Sequence, residues 1–137
     1  MTKPVAIPTD AERATIDHLI PQLAAHSEDV TCGVVILSGP AWADATKPHV
    51  QVGLNGTPTG TYPMTTGAII RLTAWATSTT VAKRLASLSQ GIMLAHPGGG
   101  GIQSVNFMTG VDVTKDPDTE AQLATCTVRV NTSYAEA

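Results

Sequence analysis

Large aromatic side chains are scarce in this chain: two Trp, two Tyr and one Phe among 137 residues, or 4%. A core built from it is therefore aliphatic, assembled from Ala, Val, Ile and Leu around few large rings. Charge is scarce too, with 14% Asp, Glu, Lys and Arg and a formal net charge of −3. The longest basic cluster is the pair Lys83-Arg84, which excludes the dense cationic footprint that phosphate neutralisation needs and with it sequence-specific nucleic-acid binding. Nowhere do about 18 consecutive apolar residues occur, so no membrane-spanning helix is expected. The opening Met-Thr-Lys-Pro-Val-Ala-Ile-Pro lacks the apolar run of a secretion signal, and cytoplasmic synthesis and retention are expected. Cysteine is limited to Cys32 and Cys126, without CxxC or Cys/His spacing, which reads as two buried free thiols with no redox role.

Hydrophobic residues, in contrast, make up 42% of the chain, enough for a core without disulfides or a structural metal, which become necessary only below about 40 residues. The length suits one domain of about 100–150 residues; we expect a single domain over 1–137, with an N-terminal arm at 1–9 and a C-terminal tail at 132–137. Thr9-Asp-Ala-Glu12 has the form of a capping box, in which the Thr9 hydroxyl and Glu12 carboxylate satisfy orphan backbone donors, so a helix starts at Asp10. Ile16, Leu19, Ile20 and Leu23 continue it at helical spacing to Ala25. Pro21 predicts a kink, or an end at Ile20 followed by a short turn.

Val30–Leu37 is rich in β-branched residues and reads as a strand. His49–Leu54 alternates with a period of two, placing Val50, Val52 and Leu54 on one face and His49, Gln51 and Gly53 on the other. Asn55-Gly56, Pro58, Gly60 and Pro63 mark a long loop over 55–67. In the strand Ala68–Ala76, Ile70, Leu72 and Ala74 share one face, and Ile69, Arg71, Thr73 and Trp75 the other. Hydroxyl residues Thr77–Thr80 suit a helix start, and Val81, Leu85, Leu88 and Ile92 form its apolar stripe up to His96-Pro97. Ile102–Met108 is a weaker strand, Thr109–Thr119 a solvated loop, and Leu123–Asn131 the last strand. The order α-β-β-β-α-β-β predicts an α+β fold, with a mostly antiparallel sheet of about five strands and two helices packed on one face.

No catalytic constellation emerges, and we expect no enzyme and no cofactor. Gly98–Gly101 follows a helix and precedes a strand, the reverse of a phosphate-binding loop, and reads as a flexible connector or interface loop. Of His18, His26, His49 and His96, only His26 has a nearby carboxylate, Asp29, and no further ligand completes a metal site. Asp112, Asp116 and Asp118 lack the glycine and terminal glutamate of a calcium loop and read as a solvated turn. Trp75 is more informative: its face is covered either by this chain or by a neighbour, and tryptophan is enriched at interfaces. Loops longer than about 12 residues are usually functional or disordered. Trp75, Arg71, Thr73, Tyr62 and Asn55 are accordingly the candidate contact residues.

The order of parts resembles the tail terminator family of long-tailed bacteriophages, including minor tail subunits of actinobacterial phages. Lys47-Pro48-His49-Val50-Gln51-Val52 is similar to that family's Pro-x-Val-x-Val strand. Ala68–Ala76, running through Thr77–Thr80 into Ala82-Lys-Arg-Leu-Ala86, resembles its Val-x-Val-x-Trp strand and Ala-x-x-Leu-Ala helix. Thr109-Gly110 and Asp116-Pro117-Asp118-Thr119 before the closing strand resemble its Thr-Gly-Pro and Asp-Pro-Asp-Thr loop, with Val111 where the proline would be. The resemblance covers about residues 10–131. It implies a non-enzymatic virion protein, assembled in the host cytoplasm, that forms a homo-oligomeric ring, hexameric in that family, at the head-proximal end of the tail. Its partners would be copies of itself, the tail tube protein and the head-tail connector protein. Two other readings are another neck or head-completion connector, and a small binding module using Asp112–Asp118 with His49 or His96.

Overall fold

The computed structural model describes residues 6–8, 10–26, 31–33, 48–56, 65–115 and 121–136. Its elements are β1 (Ala6–Pro8), α1 (Ala11–Ala25), β2 (Thr31–Gly33), β3 (His49–Leu54), β4 (Thr65–Ala76), α2 (Thr79–Leu94), β5 (Ile102–Lys115) and β6 (Gln122–Glu136). The fold is α+β, with the strands in the order β1-β6-β4-β3-β2 and β5 also paired to β6. All pairings are antiparallel except β2 with β3.

Alternation along the strands builds the core. In register, Val50 faces Ala74 and Val52 faces Leu72, while Ala124, Cys126 and Val128 lie beside Ala74, Leu72 and Ile70. All of these side chains are buried. The helices cover this one face: α2 lies over β6, β4 and β5, and α1 over β3 and β2. From them Leu19, Leu23, Leu85, Ala86 and Met93 complete a single aliphatic cluster.

Several boundaries differ from the sequence reading. Asp10 is the N-cap of α1, its carboxylate accepting from Arg13 N at 3.2 Å. Glu12 Oε1 accepts from Leu54 N at 2.8 Å and ties the helix start to the end of β3. Thr9 lies outside the described residues. Pro21 neither ends α1 nor stops it at Ile20, because Leu19 and Leu23, one turn apart, are both held in the core while Pro21 faces solvent. At the start of α2, Ser78 makes no side-chain capping bond. Thr79 Oγ1 instead donates to Gln122 Oε1 at 3.1 Å.

Of the predicted strand Val30–Leu37, Thr31–Gly33 is strand, and 30 and 34–37 lie outside the described residues. β4 begins at Thr65, so 65–67 belong to a strand and not to the loop. Residues Thr109–Lys115 are likewise no loop: they continue β5, paired to β6 through register shifts at Ile102/Ser104, Phe107/Thr109 and Thr109/Asp112. The expected arm and tail meet, since Ala6–Pro8 pairs with Tyr134–Glu136. Gly98–Gly101 is a tight turn, not a loose connector. All four glycines have positive φ, 93°, 114°, 61° and 89°, which side-chain-bearing residues rarely adopt. The turn is fixed by Gly99 N to Ile102 O at 2.8 Å and by Ser133 N to Gly101 O at 3.0 Å.

Candidate functional site: the helix-free face of the sheet

The second face of the sheet carries the residues singled out in the sequence. Register places Gln51 opposite Thr73 and Gly53 opposite Arg71 on the β3 side, and Leu123 opposite Trp75, Thr125 opposite Thr73 and Thr127 opposite Arg71 on the β6 side. All of these except Thr127, together with Asn55, line a shallow depression of about 580 Å³ that runs across β3, β4 and β6 to Thr114 of β5.

Within it the candidates divide by exposure. Trp75 is 5% exposed and forms a small second core with Ala121 and Leu123. Its indole Nε1 donates to Gln51 Oε1 at 3.3 Å. Thr73 is buried beside it, its hydroxyl 3.4 Å from that of Thr125. Between core and interface, Trp75 thus packs within its own chain and supports the depression from below. Arg71 and Asn55 are exposed, and Arg71 Nη2 donates to Asn55 Oδ1 at 2.8 Å. The bond sets the guanidinium at the rim, directed along β3. Tyr62 lies outside the described residues.

Towards β5 the same face continues as a polar ladder. Thr109 and Thr127 hydroxyls are 2.6 Å apart. Arg129 Nε donates to Asn131 Oδ1 at 3.1 Å, and Asn131 Nδ2 lies 2.9 Å from both Ser104 Oγ and Asn106 Oδ1. The surface therefore offers hydroxyls, amides and two guanidiniums on a flat, hydrogen-bonded scaffold, the chemistry of a polar contact surface. The sequence did not reveal this ladder, because its threonines and asparagines become neighbours only through the register of β6 with β5.

Among the described residues, His49, His96 and Asp112 of the binding-module reading lie apart. His49 is buried on β3, with β4 and β6 between it and β5, where Asp112 sits. His96 lies at the end of α2, on the helix side, its ring 4.2 Å from that of His18. Gly98 N donates to His96 Nδ1 at 2.9 Å, so that nitrogen is unprotonated. Burial and the adjacent His18 hold the pKa of His96 below the ordinary histidine value. Asp29, Asp116 and Asp118 lie outside the described residues. Among the described residues no three His, Cys, Asp or Glu side chains converge on a possible metal position, and no helix is long and apolar enough to cross a membrane. Cys126 is buried and Cys32 half-buried; burial pushes both thiols up to about 11. Comparison of the chain with protein-family models and with curated proteins finds no match.

Proposed function

We propose that the protein is a structural subunit of a long-tailed bacteriophage, the tail terminator, which forms a ring at the head-proximal end of the tail tube, stops its polymerisation and joins the head connector. The observation that carries the reading is the order in which the family-like segments fall on the fold. The Pro48-His49-Val50-Gln51-Val52 segment enters β3, the Ala68–Ala76 segment lies in β4 and leads within three residues into α2, and Thr109-Gly110 lies in β5, ahead of the closing strand β6; 116–119 lie outside the described residues. The first two stretches thus form neighbouring central strands of one sheet and the start of its covering helix. The flat polar face with Arg71 and Asn55 at its rim supplies a surface for docking onto a tube end or a connector.

Deleting the gene from a phage that carries it tests the reading. A terminator's loss yields tails of uncontrolled length that do not join heads, and the purified protein restores joining. Tails of normal length that fail only at the neck would instead assign the protein to the head-completion connectors, the second reading of the same resemblance.

A further inference from the structure

Phe107 is the chain's single phenylalanine and is 59% exposed; Met108 beside it is 41% exposed. Both lie on β5, which pairs only with β6 among the described strands. From Phe107 to Asp112 β5 advances five residues while its partner advances three, from Val128 to Thr125. The two extra residues form bulges, which bend a strand outward and disrupt regular pairing along its free edge. The edge is therefore suited to inserting side chains into a neighbour and poorly suited to adding a flat strand.

A recess for such side chains exists on the same molecule. Between α1 and α2 lies a groove of about 350 Å³, bounded by His18, Gln22 and His26 on one side and by Leu88, Gly91 and Ala95 on the other. Gly91 is inside α2 and exposed, and a Cβ added there would meet nothing within 4 Å. Glycine inside a helix weakens it, and here neither a positive φ nor close packing within the chain requires one. Its lack of a side chain leaves room in the groove for a side chain from outside.

We propose that copies of this chain join head to tail, Phe107 and Met108 of one copy entering the Gly91 groove of the next. Because projection and groove are different parts of the surface, the contact is heterologous; it repeats from copy to copy and closes into a ring where the rotation between neighbours allows. Ring closure rests on the tail-terminator reading, and the contact leaves the helix-free face for the tube end or connector.

Two substitutions on the full chain test it by light scattering, with thermal melts as the control for folding. Phe107→Ser removes the projection and keeps the groove; Gly91→Leu fills the groove, keeps the projection and favours the helix. Each alone weakens self-association roughly tenfold or more, as loss of a central interface anchor does. An equal mixture of the two gives a dimer and nothing larger, since only the Phe107 of the Gly91→Leu chain finds an intact groove. Wild-type chains that stay monomeric at every concentration both with and without tail tubes, either variant assembling like wild type, or a mixture that stays monomeric overturns the proposal. Rings made through this contact that ignore tail tubes would overturn the tail reading alone, whereas rings on tubes that tolerate both substitutions would overturn this contact alone.

Discussion

On α2, Gln90 is a polar side chain only 8% exposed, and its Nε2 donates to Thr109 O at 2.8 Å and Thr127 O at 3.3 Å. It thereby serves two strand carbonyls at the place where β5 departs from regular register. Gln90→Leu keeps the volume and removes both donors, so we expect a loss of about 1–3 kcal/mol of stability in denaturant unfolding, the usual cost of stranding buried acceptors. His96 gives a pH dependence at the same scale. Its Nδ1 accepts from Gly98 N, and the groups lining the depression around it are His18 and Asp17 of α1. Because its pKa is lowered on folding, the stabilisation is complete above the unfolded value of 6.5 and is lost as pH falls through the folded value. Thermal melts from about pH 8 down to about pH 5 should show wild type losing more stability than His96→Gln; parallel curves would contradict this. None of these contacts was visible in the sequence. Gln90 lies outside the apolar stripe of Val81, Leu85, Leu88 and Ile92, and Trp75 is closed over by Leu123 and Ala121 only after β6 pairs.

At the scale of elements, regular alternation made β3, β4 and β6 legible, because period-two burial requires a covered face and all three have one. β5 is the instructive failure. Thr109-Gly110-Val-Asp-Val-Thr-Lys115 opens on turn-forming residues, yet the long neighbour β6 provides a template and bulges absorb the surplus residues. Pro21 was also overruled by packing: the missing hydrogen bond is outweighed by burial of Leu19 and Leu23. That account makes α1 dependent on its core contacts. Leu19, fully buried, anchors it against the sheet, so Leu19→Ala should cost about 2–5 kcal/mol. Hydrogen exchange should show protection lost first in α1, the helix that carries an internal proline; uniform loss across β4 and β6 would contradict it.

At the scale of the whole molecule, one sheet has a face committed to the helices and a face of arginine, threonine and asparagine supported by Trp75. Its outer strand β5 carries Phe107 and Met108 into solvent. Such a chain has surfaces beyond those its own fold uses, which is the physical basis for reading it as an assembling subunit. The candidate residues Arg71 and Asn55 came from sequence pattern alone, while the projection and the groove required tertiary pairing to appear. The most direct measurement is the mass of the purified protein in solution by light scattering across a concentration series, with and without tail tubes. A closed ring, or a monomer converted to one by tubes, is the predicted result; a strict monomer indifferent to tubes would contradict the account.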